Sequence, residues 1–159
     1  MTSYDYFQSP QGRMLLVADG KGLASLSFIG QKYAPRVGAD WKRDARDPVL
    51  RQAKRELAEY YAGRRKRFSV RLAPQGTSFQ RAVWKAIAGV GFGRTIPYAE
   101  LARRAGRPGS ARAAGAATGR NPIGIIVPCH RIVGSNGSLT GYAGGLARKR
   151  ALLALEARG

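Results

Sequence analysis

The sequence predicts an α/β protein of the α+β kind, built from a strand-rich first lobe and a mostly helical second lobe. Short apolar or alternating runs, separated by turn residues, fill the first 29 residues, a pattern typical of antiparallel strands. Beyond residue 76, apolar residues instead recur at helical spacing. The turn-forming stretch 74–76 lies between the two patterns, so we expect one domain over residues 1–74 and a second over residues 77–159.

The first lobe is expected to contain a three-stranded antiparallel meander, because two turn signals separate its three apolar runs. Asp47 can cap a helix with its side-chain oxygen, and Gly63 can end that helix. Residues 30–46 are polar and irregular, and the basic run 64–67 is interpreted as a solvated loop. The predicted elements are strands over 4–7, 14–18 and 23–28, a helix over 47–61 and a last strand over 68–72.

The second lobe is expected to be mainly helical. Phe79, Val83 and Ile87 share one side of its first helix, and Ser110 is a good N-cap for its third. Residues 123–133 are an apolar stretch that fits a strand or an extended loop. The predicted helices cover residues 77–88, 98–105, 111–119 and 146–157. The second and third of these helices resemble a helix-turn-helix.

Composition favours a cytoplasmic protein that binds a polyanion. The chain has a formal net charge of +19, and nucleic acid is the usual partner of such a cation. A solubilising surface or an arginine-rich codon bias would give the same charge. No apolar run approaches the roughly 20 residues of a membrane span, and the first residues do not resemble a secretory signal. A single cysteine suits a reducing compartment.

The single cysteine and the single histidine of the chain are adjacent, in the tetrapeptide Pro128-Cys129-His130-Arg131. A thiol with a base beside it can act as a nucleophile. Adjacent side chains of a regular strand point to opposite faces, so His130 can help Cys129 only if the backbone leaves a strand or if a water joins the two. The alternative is a buried structural cysteine next to a surface histidine.

An imidazole that acts as a general base also needs a hydrogen-bond acceptor that orients it, usually a carboxylate. From Thr77 onward the chain has 13 basic residues but only two acids, Glu100 and Glu156. Glu100 lies in the first turn of its helix, where a carboxylate already suits the helix dipole. Glu156 lies near the end of the last helix, where the dipole disfavours an anion, so a tertiary partner explains it better. We therefore predict that Glu156 orients His130.

The predicted helix 111–119 is almost bare of long side chains, with Arg112 as the exception. A helix that reads bases in the major groove carries long polar side chains. A bare helix can instead approach a backbone or a shallow groove closely and insert one arginine. The pattern predicts a sequence-independent minor-groove binder of double-stranded DNA. Tight packing inside the domain would select the same small residues.

A thiol nucleophile in a DNA-binding protein must reach a base that is no longer stacked. Proteins that do chemistry on a base rotate it out of the duplex. Arg112 could then fill the vacated space, and Tyr98 could crowd the phosphate and drive the rotation.

The segment Asn121–Val133, with the sequence NPIGIIVPCHRIV, resembles the active-site signature of the O6-alkylguanine-DNA alkyltransferases, also called methylated-DNA–protein-cysteine methyltransferases. The resemblance is strong from about Phe79 to Glu156 and looser in the first lobe. It implies a ribonuclease-H-like N-terminal domain, followed by a mostly helical domain with a helix-turn-helix and the active-site cysteine. The other stretches that agree are Val83-Trp84-Lys85, Ile96-Pro97-Tyr98, Gly141-Tyr142-Ala143-Gly144-Gly145, Lys149, Leu152-Leu153 and Glu156.

The resemblance implies a catalytic role for four residues. Cys129 would accept the alkyl group, and His130 would deprotonate it through a water. Glu156 would orient His130, and Asn121 would stabilise the turn around the site.

The resemblance also implies a set of DNA contacts. Tyr98 and Arg112 match the family's base-rotating tyrosine and its arginine finger. The residues that would lie along the minor groove, line the guanine pocket or touch DNA are Ser110, Ala111, Ala113, Gly115, Val127, Ser135 and Tyr142.

The implied function is DNA repair by direct transfer of a methyl or small alkyl group from O6-alkylguanine, and from O4-alkylthymine, to Cys129. No second cysteine can regenerate the site, so each molecule is expected to act once. The first lobe has neither cysteine nor histidine, so we expect no zinc and no cofactor. We expect a monomer, and cooperative binding to DNA stays open. The alternatives are a damage-sensing DNA-binding protein that does not repair, and a cysteine hydrolase, which would need turnover and an oxyanion site.

Overall fold

The computed structural model describes all 159 residues, which divide into two compact units. The first unit is Met1–Gln75 and the second is Gly76–Gly159. Strands and one helix make up the first unit, and helices dominate the second, so the predicted α+β class is confirmed. None of the helices combines the length and the apolar character needed to cross a membrane.

The first unit contains the predicted antiparallel meander of β1 (Ser3–Ser9), β2 (Gly12–Ala18) and β3 (Leu23–Phe28). A two-residue strand, β4 (Lys42–Arg43), adds to the free edge of β1 in parallel, which gives the order β3-β2-β1-β4. β4 lies in the stretch predicted to be irregular. Two residues are too few to show a period-2 pattern, so the sequence carried no signal for it.

Helix α1 (Pro48–Tyr61) packs against the sheet of the first unit. Asp47 caps it as predicted, since its Oδ1 accepts from the backbone nitrogens of Val49 at 2.9 Å and Leu50 at 3.1 Å. Gly63 follows the helix with φ of +76°, a conformation that glycine adopts without strain. The buried residues of α1 recur at helical spacing, and they are Leu50, Ala53, Glu56, Leu57 and Tyr60.

The strand predicted over 68–72 is wrong. Only an isolated bridge between Leu23 and Leu72 is present there. The backbone nitrogens of Ser69 and Val70 donate instead to Oε1 of Glu56, at 2.9 and 3.2 Å, and the Ser69 hydroxyl donates to Oε2 at 2.7 Å. A buried carboxylate on α1 thus takes the hydrogen bonds that a neighbouring strand would have received.

The second unit contains the four predicted helices: α2 (Ser78–Ala88), α3 (Tyr98–Arg104), α4 (Ala111–Gly119) and α5 (Leu146–Arg158). Thr77 and Gln80 form a capping box at the start of α2. Ser110 precedes α4, but its side chain makes no capping hydrogen bond, so the predicted cap is wrong. Its φ and ψ of −104° and 42° depart from the extended backbone that a capping side chain requires.

Two short parallel strands, β5 (Ile96–Pro97) and β6 (Ile132–Val133), join separate segments of the second unit. β5 directly precedes α3, and β6 directly follows the turn that carries Cys129. The pairing therefore fixes the cysteine-bearing segment to the start of α3. Apolar side chains buried in the core of this unit include Val83, Ile87, Leu101, Ala114, Ile123, Ile132 and Leu152.

Candidate active site

The backbone around Cys129 is a single 3₁₀ turn, Cys129–Arg131, and not a strand. Pro128 precedes it with φ of −81° and ψ of 65°, and its carbonyl accepts from the Arg131 nitrogen at 2.9 Å. A strand, one of the two forms considered for residues 123–133, is therefore wrong at the cysteine and present at β6. Because the chain turns here, Cys129 and His130 do not have to face opposite sides, and both are buried.

His130 and Glu156 form a hydrogen-bonded pair, with Nε2 and Oε2 2.7 Å apart and neither side chain exposed to solvent. Glu100, the other acid considered, lies elsewhere and binds Arg103 and Arg104 on the surface of α3. Hydrogen bonds from those two arginines lower the pKa of Glu100 to about 2. The structure thus brings His130 together with the carboxylate that the sequence favoured.

The second ring nitrogen of His130, Nδ1, is buried and has no hydrogen-bond partner in the protein. If Nε2 carries the proton and donates to Glu156, Nδ1 presents a lone pair. Burial lowers the pKa of His130, and the favourable contact with Glu156 only partly offsets that effect. The imidazole is therefore neutral near pH 7 and can accept a proton at Nδ1.

Cys129 as a whole residue is only 8% exposed. Burial raises its pKa, while a hydrogen bond with Asn121 and the charge of Lys149 act in the opposite direction. Asn121 also holds the preceding backbone, because its Nδ2 donates to the Val127 carbonyl at 2.8 Å and its Oδ1 accepts from the Ile123 nitrogen at 3.0 Å. The thiol is thus mostly protonated at rest and needs a base to react.

Two buried cations near this site were not assigned a role from the sequence. Arg131 donates to both carboxylate oxygens of Glu156. Lys149 donates to the carbonyls of Ile132 at 2.6 Å and Thr140 at 3.2 Å. The sequence did contain a signal that Lys149 is buried. It lies three residues before Leu152 and seven before Glu156, and these spacings place all three on the buried face of α5. No three potential ligands cluster as a metal site would require.

Helix α4 has one buried face and one open face. Ala114, Ala117 and Thr118 are buried, and the Ala117 carbonyl accepts from Nε1 of Trp84 at 2.8 Å. Arg112 and Ala113 are exposed. Packing therefore accounts for the small residues on one side of the helix only, and the other side is free to approach a ligand.

The remaining predicted contact residues fall in three places. Tyr98 begins α3, its hydroxyl accepts from Thr140 at 3.2 Å, and a Cβ added to Gly115 would lie 3.6 Å from its ring. Ser110 and Ala111 are half-buried at the start of α4. Val127 is buried beside the cysteine turn, whereas Ser135 is exposed and Tyr142 half-buried on the loop between β6 and α5.

The second unit thus holds a buried thiol, a histidine–carboxylate pair with an unpartnered ring nitrogen, and a helix pair with an open face. This arrangement is typical of the class of proteins in which a thiol reacts with a bound ligand. Family comparison gives the particular family. Residues 78–158 match the 6-O-methylguanine DNA methyltransferase, DNA binding domain. Residues 2–74 match the ribonuclease-like domain of the same family. The chain belongs to the 6-O-methylguanine DNA methyltransferase family, which confirms the resemblance inferred from residues 121–133.

Individual relatives match over nearly the whole chain. A Methanosarcina acetivorans protein named methylated-DNA–protein-cysteine methyltransferase is 46% identical over 153 residues, covering 96% of this chain and 97% of its own. The crystal structure of Mycobacterium tuberculosis OGT in complex with DNA superposes with a TM-score of 0.90 at 43% identity, covering 98% and 93% of the two chains. A crystal structure of Mycobacterium tuberculosis O6-methylguanine methyltransferase gives 0.89 at 44% identity, covering 99% and 94%.

Proposed function

We propose that this DNA-repair alkyltransferase moves a methyl or small alkyl group from O6 of guanine, and from O4 of thymine, to Sγ of Cys129. The observation that carries the proposal is the unpartnered Nδ1 of a His130 whose Nε2 is bound to Glu156. A water at Nδ1 can relay the thiol proton to the imidazole, which gives the thiolate without direct Cys–His contact.

In the proposed transfer of the alkyl group to Cys129, every bond formed or broken is accounted for without a cofactor. The thiolate attacks the alkyl carbon, the S–C bond forms, and the C–O6 bond breaks. Guanine leaves with that electron pair and takes up a proton. The product thioether is stable, and the chain has no second cysteine to displace it. We therefore propose a stoichiometric reaction in which each molecule acts once.

On the DNA side, we propose that α4 enters the minor groove with its open face. Arg112 would fill the space left by the rotated base, and Tyr98 would crowd the phosphate. The exposure of Arg112 supports this arrangement, as does the closeness of the Tyr98 ring to Gly115, where an added Cβ would lie 3.6 Å from the ring. Further contacts are proposed for Ser110, Ala111, Ala113, Gly115, Val127, Ser135 and Tyr142.

We also propose that the chain consists of two domains. Residues 1–74 would form the ribonuclease-like domain, and residues 77–159 the domain that binds DNA and accepts the alkyl group. The family matches over 2–74 and 78–158 support this division. We propose that the protein acts as a monomer in the cytoplasm. A damage sensor that does not repair is disfavoured, because Cys129 is present with its histidine and carboxylate.

The test is the mass of the intact protein after mixing with duplex DNA that contains O6-methylguanine. The expected result is one methyl group in place of one hydrogen, localised to Cys129 and saturating at one per molecule. Cys129→Ala should bind the same DNA but gain no methyl group. A Cys129→Ala protein that still demethylates DNA would contradict the proposal, and many products per molecule would indicate a hydrolase instead.

A further inference from the structure

Arg131 is the buried side chain that contacts the carboxylate behind His130 and has no part in the alkyl transfer proposed above. Only 7% of its side chain is exposed. Its Nε donates to Oε1 of Glu156 at 2.8 Å, and its Nη2 donates to Oε2 at 2.9 Å. The third nitrogen, Nη1, donates to the Val90 carbonyl at 2.6 Å. The guanidinium is thus fixed at three points.

Glu156 is shared between a permanent cation and a titratable ring. Oε2 is bound by both the Arg131 guanidinium and the imidazole of His130. Oε1 is bound by Arg131 and lies 3.4 Å from the Gly93 nitrogen. A forked arginine–carboxylate contact fixes the plane of the carboxylate as well as compensating its charge. The orientation of His130 therefore depends on Arg131 through Glu156.

The charge of Arg131 compensates that of Glu156, and this compensation affects whether the ring of His130 takes up a second proton. A buried carboxylate without a partner would draw a second proton onto the adjacent imidazole, because the buried anion would otherwise be uncompensated. The charged groups that act on His130 are Glu156 and Lys149 on α5 and Arg131 on its own turn, which also carries Cys129. Arg131 and Lys149 both oppose protonation of the ring, and Arg131 is the one bonded to Glu156.

We infer that Arg131 is a positioning residue that holds Glu156 as a compensated carboxylate, so that His130 remains a neutral base and does not become half of a buried ion pair. The inference rests on the proposed role of His130 as the base for Cys129. It assigns a function to a member of the tetrapeptide that does not touch the substrate.

The chain offers a direct readout, because His130 is its only histidine. The ring C–H signals in an NMR titration of the whole protein therefore report His130 alone. The second readout is the rate at which free O6-benzylguanine alkylates Cys129, measured against pH. This reaction needs no DNA, so changes in DNA affinity do not enter it.

Two variants of Arg131 separate the effect of its charge from that of its geometry. Arg131→Gln removes the charge, and we expect the His130 titration midpoint and the acid limb of the rate profile both to move to higher pH. At neutral pH the rate should then fall toward the roughly 10²- to 10⁴-fold loss expected when a general base is lost. Arg131→Lys keeps a charge and should return both midpoints toward those of the natural protein.

The matched control is Arg103→Gln. Arg103 makes the same forked contact with a glutamate, Glu100, at 2.7 and 2.6 Å, but on the exposed surface of α3. Its replacement should leave the His130 titration and the O6-benzylguanine profile unchanged. A shift as large as that of Arg131→Gln would mean that net charge, and not the contact with Glu156, sets the protonation of His130, and would overturn the inference.

Two results overturn the inference directly. A folded Arg131→Gln protein with an unchanged His130 midpoint is one. The other needs no variant and applies even if Arg131→Gln does not fold: a midpoint in the natural protein at or above the ordinary imidazole pKa of 6.5. The titration does not depend on alkyl transfer. Failure of Cys129 to gain an alkyl group would therefore contradict the proposed function and leave this comparison interpretable.

Discussion

The side chain of Asn121 closes the chain onto the carbonyl of Val127, with Nδ2 and the carbonyl oxygen 2.8 Å apart. Its Oδ1 accepts from the Ile123 nitrogen inside the same turn. Ile125, between them, has φ of +67°, which is unfavourable for a β-branched residue. One buried amide thus holds the strained segment that leads to Cys129.

Asn121→Ala should destabilise the protein, because the buried Ile123 nitrogen loses its partner and the Val127 carbonyl keeps only the hydrogen bond from the Cys129 nitrogen. We expect a loss of about 1–3 kcal/mol in the free energy of unfolding, measured by urea denaturation. The control is Asn136→Ala, which removes a similar hydrogen bond to the Ser138 nitrogen in an exposed loop. Equal losses in the two variants would contradict a special role for the buried turn.

Lys149→Met should make the thiol of Cys129 harder to ionise. The Lys149 ammonium is buried, it donates to two carbonyls, and its charge favours the thiolate. Without it the pKa of Cys129 should rise further, so the rate of reaction with iodoacetamide should need a higher pH to reach half its maximum. Arg150→Met, an exposed neighbour on α5, should leave that profile unchanged. An unaltered pH profile for Lys149→Met would show that the ammonium only binds the two backbone carbonyls and does not affect ionisation of the thiol.

Glu56→Gln should reduce stability in a pH-dependent way. Burial alone would raise the pKa of Glu56, but hydrogen bonds from Gln52, Ser69 and Val70 outweigh that effect and lower it. A lowered folded-state pKa stabilises the protein above the ordinary value of 4.5, and this contribution is lost as the pH falls through the folded-state value. We expect a loss of about 1–3 kcal/mol near pH 7, measured by urea denaturation, and a narrowing difference in acid.

The comparison for Glu56 is Glu59→Gln on the same helix. Glu59 is partly exposed and binds Arg65 at 2.8 Å, so its replacement should cost only about 0–1 kcal/mol. A Glu56→Gln difference that persisted unchanged below pH 4 would show that the hydrogen-bond geometry, and not the charge, provides the stability.

Arg112→Ala should slow repair of O6-methylguanine in duplex DNA far more than reaction with free O6-benzylguanine. The arginine is exposed on α4, whereas the thiol is buried, so we expect its loss to slow mainly the step that needs a rotated base. The two rates are compared with those of Arg158→Ala, which removes an exposed arginine at the end of α5. Equal losses in the two reactions would argue against a finger role.

The elements that could be predicted from the sequence were those with a periodic pattern of apolar residues. The helical spacing of Leu50, Ala53 and Leu57 predicted α1, and Asp47 located its first turn. The strand predicted over 68–72 failed because a pattern of apolar residues contains no information about Glu56, which lies 13 residues earlier and takes the backbone hydrogen bonds of Ser69. β-propensity depends on which partner is available.

The candidate site was predicted in part. The rarity of Cys129 and His130 identified the turn, and the unfavourable position of Glu156 in its helix identified the partner. Arg131 and Lys149 were not assigned, because charged residues are expected at the surface unless a specific partner is known. Their partners are Glu156 and the carbonyls of Ile132 and Thr140, and contacts of this kind exist only after folding.

The burial of Cys129 has a consequence for selectivity. A molecule that reacts once is lost whenever its thiol meets the wrong electrophile. Because burial raises the pKa of Cys129, the resting thiol is a weak nucleophile toward small alkylating agents and oxidants in solution. Under the proposed mechanism, reactivity then depends on a substrate that binds beside the thiol while His130 takes up the thiol proton through a water. The burial that makes a base necessary thus also protects the thiol of Cys129 from reaction before the protein meets damaged DNA.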